Sequence, residues 1–253
     1  MAKWTLAAFA ESQDEAGAYT KVAAVVDQHL KATGDIIYIP DEYPFLMGYY
    51  ALMGAVVPGN PYLDSPSLRA KALLDLFPVE PLTLPTAPPS LSMRPQSPTK
   101  LKGDEGLMLW SNANPAAAEY HSGLLWLSDG LIEPVKGDIF TVRFTAAVTG
   151  VAGAWANGAI TLAQTLPAGR YAVVGAGITG ANLIAARFVP IGHTNRPGMP
   201  AVTTVAGLKD DTFRYGKLGK WFDFDHNVVP SLDILVLDAC VAQVGYLDLI
   251  QIS

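Results

Sequence analysis

The chain has 253 residues, a formal net charge of −6, and a composition that is 50% hydrophobic but only 16% charged. Those totals exclude a disordered chain, which lacks apolar surface to bury, and a surface built to neutralise phosphates, which needs clustered Lys and Arg. A single cysteine, Cys240, in an apolar run excludes an intrachain disulfide framework and reads as a buried, inert thiol.

From the N-terminus, Lys3 precedes an apolar stretch that ends at Glu11 without a small-residue cleavage site, so no signal peptide is read. Glu11, Asp14 and Glu15 rule out a basic arm that would thread into a genome. Ser12 and Glu15 have the capping-box spacing. Val22, Val25, Val26, His29 and Leu30 then share one helical face ahead of Gly34, which predicts a first short helix. Residues 35–39 read as a strand. The charge-free stretch 44–63 is broken by Gly48, Gly54, Pro58 and Gly59, too often for a membrane-spanning helix. Within it Phe45, Leu46, Met47, Tyr49, Tyr50, Leu52 and Met53 form either a core element or an exposed patch for a partner, with core the commoner fate. Ser65 and Pro66 open a second short helix carrying Leu68, Ala72, Leu73, Leu76 and Phe77, closed by Pro78.

Residues 1–77 are thus expected to be a mixed α/β region with two short helices. Residues 78–103 contain Pro78, Pro81, Pro85, Pro88, Pro89, Pro95 and Pro98, spaced too closely for any ladder, and read as a linker or an arm laid on a neighbouring subunit. From 104 to 253 the pattern becomes short β-prone runs at 107–110, 124–127, 138–147, 159–164, 170–176, 183–190, 212–224, 232–239 and 246–252, separated by Gly, Pro, Asn and Asp. Such spacing predicts an antiparallel jelly-roll-like β-sandwich, and the chain as a whole is expected to be mainly β.

One motif points elsewhere. Gly175, Gly177 and Gly180 match the dinucleotide fingerprint behind an apolar run, and taken alone the segment looks like the cofactor-binding opening of flavin-dependent oxidoreductases. Residues 189–207 contain no acid to hold a ribose, and too little chain follows for a doubly wound sheet. A β-hairpin of 170–176 with 183–190 competes and is preferred. Asp223, Asp225 and His226 are too few ligands for calcium. His121, Ser122, Ser128 and Asp129 lack a nucleophile elbow and read as turn residues, and His29 and His193 have no metal-ligand spacing. No catalytic, cofactor-binding or metal residue is therefore assigned, and no cofactor is expected.

The order of the segments Leu166 to Gly175, Ala186 to Pro190, Arg196 to Gly198, Phe213 to Trp221 and Tyr246 to Ile250 resembles the jelly-roll capsid proteins of tailless icosahedral bacteriophages, over about the last 90 residues. That resemblance implies a non-catalytic virion shell subunit made in the host cytoplasm. It would assemble with itself as trimers or pentamers, alongside other virion proteins, without specific nucleic-acid binding. The apolar excess points the same way, since copies of the chain are the simplest cover for it. Two alternatives stand beside this one: a flavin- or NAD-binding oxidoreductase using Gly175 to Gly180, and a carbohydrate-binding β-sandwich using Trp110, Trp126, Trp155 and Trp221 as stacking platforms.

Overall fold

The computed structural model describes residues 3–13, 19–53, 61–71, 92–112, 119–201 and 211–253. The chain divides into two units, one built from residues 6–85 and 89–130, the other from residues 1–5, 86–88 and 131–253.

In the N-terminal unit the elements are β1 (Trp4–Gln13), β2 (Tyr19–Lys21), β3 (Ala32–Thr33), β4 (Ile36–Tyr38), β5 (Phe45–Met53), β6 (Tyr62–Asp64), α1 (Pro66–Lys71), β7 (Ser92–Met93), β8 (Thr99–Lys100), β9 (Gly106–Asn112) and β10 (Glu119–Ser128). One sheet runs β1-β10-β5-β7 with β8 also on β5; the other runs β2-β9-β4-β3 with β6 also on β9. Their apolar faces share one core, to which Phe9, Leu46, Leu125 and Leu127 come from the first sheet and Ile37, Leu63, Leu107 and Leu109 from the second. In β5 and β10 both faces are buried over most of the strand, which is why the stretch starting at Phe45 belongs to the core and presents no partner patch.

This unit departs from the expected mixed α/β region. The first predicted helix does not form: the Val22 amide donates to the Leu109 carbonyl, the Ala24 amide to the Gly34 carbonyl, and Ala24 bridges Phe9. Val22, Val25 and Leu30 still bury their side chains, but from extended chain, where β-branched residues lose less rotamer freedom. Of the expected capping box, Ser12 lies in β1 and Glu15 falls outside the described residues. At the second helix α1 does form, with the Leu68 amide on Ser65 Oγ at 3.2 Å as its cap; residues 72–77 lie outside the described residues.

The boundary expected at 104 also moves. β9 and β10 sit centrally in the two N-terminal sheets, so that unit extends to residue 130. Of the Pro-rich stretch, residues 78–91 lie outside the described residues. β7 and β8 do join a ladder, pairing with Gly48, Tyr49, Phe45 and Leu46 of β5, while Pro95 and Pro98 fall in the connection between them, where a missing amide costs no ladder bond.

The C-terminal unit holds β11 (Phe140–Ala146), β12 (Ala156–Leu162), β13 (Arg170–Gly180), β14 (Leu183–Val189), β15 (Gly198–Pro200), β16 (Phe222–Asp225), β17 (Ser231–Val236) and β18 (Gln243–Gln251). Its sheet order is β15-β14-β17-β12-β11-β18-β13-β16. The pairings nest: β14 with β15, β13 with β16, β12 with β17, β11 with β18. That is the winding of an eight-stranded jelly roll, a long antiparallel hairpin folded over so that β11-β18-β13-β16 faces β12-β17-β14-β15. Rings meet across the interior, Phe144 to Phe188 at 6.2 Å and Phe188 to Phe222 at 5.8 Å. The run expected as a strand over 212–224 is strand only from Phe222; residues 212–218 form turns, with positive φ at Tyr215 and at Gly216.

The two units share a winding. In the first, β1–β10–β5 lies in one sheet and β2–β9–β6 in the other, with β2 and β6 on opposite edges of β9 because both register on Trp110. In the second, β11–β18–β13 and β12–β17–β14 repeat the same relations of first, last and third strands, and of second, penultimate and fourth, once the β3–β4 hairpin of the first unit is left out of the count.

Candidate assembly surface

One end of the C-terminal jelly roll carries the connections 147–155, 181–182 and 237–242, whose sequence contains a single charge, Asp238. Their apolar side chains point out: Val151 is 67% exposed and Val241 64%, beside exposed Ala152, Ala154, Ala181, Ala242 and Val244. Loops normally clothe themselves in polar groups, so three connections with one charge among them form an unusually apolar surface.

These loops are held together from below. Gln243 is buried, and its side-chain amide acts as a surrogate peptide: Val148 N–H donates to Oε1 at 3.0 Å and Nε2 donates to the Val148 carbonyl at 2.8 Å. Nε2 also reaches Cys240 Sγ at 3.3 Å, so the buried thiol belongs to the same pin. Gly150 bridges Cys240, and Asn182, with φ of 58°, accepts from Leu237 N–H and donates through Nδ2 to the Ala239 carbonyl. Gly180 lets this connection approach: a Cβ there would lie 3.2 Å from the Ala242 carbonyl. The valines therefore sit on a fixed platform, which lowers the entropy lost when a neighbour covers them.

Each sheet also buries a charged row on its outward side. On β18, Asp248 is fully buried and accepts from Arg214 Nε and Nη2 at 2.7 and 2.8 Å, from Thr141 Oγ1 at 2.7 Å and from the Tyr215 amide at 2.9 Å. Burial opposes ionisation of this carboxyl, but the bonds from Arg214 and Thr141 outweigh it and hold its pKa below the usual range. On the other sheet Asn157, Asp233 and Arg187 register across β12, β17 and β14; Arg187 Nε donates to Asp233 at 2.9 Å, and its guanidinium lies 4.2 Å from the Trp155 ring centre. These rows bind loops and strands to each other, and their donors and acceptors are spent on that.

The residues singled out in the sequence are dispersed. Gly175, Gly177 and Gly180 all lie in β13, followed by a two-residue turn and β14. The dinucleotide motif needs a strand, a loop and a helix, and that geometry does not occur here. The preferred hairpin is also corrected: β13 pairs with β16 and β18, β14 with β15 and β17, so consecutive strands enter opposite sheets. What Gly175 does is admit the chain at 213–214; a Cβ there would come within 2.6 Å of Asp248 Oδ2 and 2.9 Å of Arg214 Cα. Asp223 is ion-paired with Arg170 and with Lys220, whereas Asp225 bonds the Asn227 amide. Ser122 Oγ donates to the Leu52 carbonyl, Ser128 Oγ accepts from Gly130 N–H in a turn, and the His121 ring is buried on β10. His29 packs against Tyr43, and the carbonyl of His193 accepts from Arg196. Trp126 and Trp221 are buried in separate units, while Trp110 and Trp155 are half-buried.

The exposed valines at 151 and 241 were not singled out from sequence. The signal that could have found them is two turn-rich segments, 147–155 and 239–242, with no charge. No helix among the described residues is long and apolar enough to cross a membrane. No family model, curated protein or solved structure matches this chain.

Proposed function

We propose that this chain is a non-catalytic structural subunit that packs against copies of itself to form a virion shell. It would be made in the host cytoplasm and deposited in the particle. The observation that supports this reading best is the jelly-roll winding, an architecture used by viral capsid proteins, with three pinned, mostly apolar connections at one end. An apolar loop end is self-complementary: two copies can cover each other without any matching of charge. A trimer is the favoured building block, and a pentamer is the runner-up.

The test is particle size. Purified protein is examined by light scattering and negative-stain electron microscopy at micromolar concentration, across a range of salt and pH. Trimers, pentamers or closed particles are expected, with little salt dependence, because apolar contacts are not screened. A strictly monomeric species at high micromolar concentration under all conditions overturns the reading.

A further inference from the structure

The second sheet of the N-terminal unit has an outward face unlike any other surface described above. Leu63 of β6 and Leu109 of β9 turn into the core, so their neighbours Tyr62, Asp64 and Trp110 stand on the opposite side. β2 adds Tyr19 and Lys21, with Lys21 registered against Trp110. The Tyr62 ring lies within 12° of parallel to Trp110 at a centroid distance of 6.0 Å, and 5.6 Å from the ring of Tyr19, which is 41% exposed. Three strands joined by backbone ladders hold these rings, so they need no ordering on contact.

Charged groups fence the rings. Arg69, whose side chain is 62% exposed, donates through Nε and Nη2 to the two oxygens of nearly buried Asp64. Lys21 Nζ lies 2.9 Å from Asp35 and 5.4 Å from the centre of the Trp110 ring. Burial, then the Asp64 charge, raise the pKa of Tyr62 and keep its phenol a donor.

We propose that this aromatic face binds a neutral pyranose glycan. The two acids and two bases at its rim sum to zero charge, which removes the attraction a phosphate backbone requires and gives a cationic ligand no preference either. A ligand with a flat, apolar C–H face and a hydroxyl-bearing edge fits what remains: ring faces carry the negative side of the aromatic quadrupole, to which polarised C–H groups are drawn, and the exposed guanidinium of Arg69, oriented by Asp64, can donate to hydroxyls at the rim. The ring cluster is a few side chains wide, far short of the roughly 800 Å² that each partner of a stable protein interface contributes. This proposal is independent of the assembly reading, since the face lies in the other unit from the apolar loop end.

The full chain is tested against immobilised tetrasaccharides of glucose, galactose, mannose and N-acetylglucosamine, then by calorimetric titration with any that is retained. At least one is expected to bind, with affinity at least tenfold weaker in both Tyr19→Ala and Arg69→Ala while the oligomeric state stays unchanged in both and the melting temperature stays unchanged in Tyr19→Ala. Retention of none, or binding equal in wild type and both variants, overturns the proposal. Stronger binding of oligo(dT) than of every sugar assigns the face to single-stranded nucleic acid instead. If Tyr19→Ala breaks up an oligomer that retains no sugar, the face is a subunit contact and the proposal falls.

Discussion

At the residue scale the fold depends on a few buried charges whose partners come from loops. Asp248 is the clearest. Its place in β18 was legible, because 246–252 is a β-prone run in which Leu247 and Leu249 flank Asp248, and a lone acid opposite two leucines reads as a solvated position. It is buried instead because the loop bearing Arg214 and Tyr215 lies on it, and no local pattern announces such a long-range cover. Replacing Asp248 by Asn leaves the Arg214 guanidinium without its counter-charge, and we expect a loss of roughly 3 kcal/mol in denaturant unfolding. Because the folded-state pKa of Asp248 is depressed, its contribution is complete above the ordinary carboxylate range and disappears as pH falls through the folded value. His121 gives a second acid-labile site of different cause. Burial alone lowers its pKa from 6.5 to about 4, so between those values the unfolded chain binds a proton that the folded chain refuses. The His121 contribution therefore lowers stability as pH drops from 6.5 towards 4 and is constant below, and thermal melts of His121→Leu should lack that part of the slope.

At the scale of elements, strands with one wet face were legible, and strands with two dry faces were legible where turn residues bound them, as Asn182 and Pro190 bound β14. β11, whose residues alternate exposed and buried, was read nearly to its ends. β1 is buried along its whole apolar stretch and offered no alternation, so Trp4 to Ala10 registered only as a short apolar run. The predicted helix from Val22 to Leu30 failed for a related reason: its apolar spacing fits a helical face, but neighbouring strands take its amides. β13 shows how a motif can mislead. Its glycines satisfy a dinucleotide fingerprint, yet Gly175 is there to admit a crossing chain. Gly175→Ala forces a backbone shift at residues 213–214, so we expect destabilisation of about 1–3 kcal/mol and faster cleavage by protease within 211–220. Gly192→Ala is the useful contrast, since its site is open and its cost comes from the positive φ alone.

At the scale of the whole molecule, two like units had been hidden because a shared winding is a property of pairing, and pairing leaves no repeat in residue identity. The assembly reading also makes its sharpest prediction here. Val151→Asp and Val241→Asp place charge on the apolar loop end without touching the Gln243 pin. Both variants should keep the wild-type melting temperature of the monomeric fold and sediment as smaller species than wild type. Unchanged sedimentation for both would remove this end from the contact. The nested order of the strands has one more consequence, in time. β18 is the last strand of its unit yet lies between β11 and β13, just as β10 is the last of its own and lies between β1 and β5. Each sheet thus waits with an open slot until its final strand leaves the ribosome. The N-terminal unit can close while the second is still being made, whereas β11 and β13 stay unjoined until residue 251 emerges, a delay during which exposed strand edges are the main hazard to the growing chain.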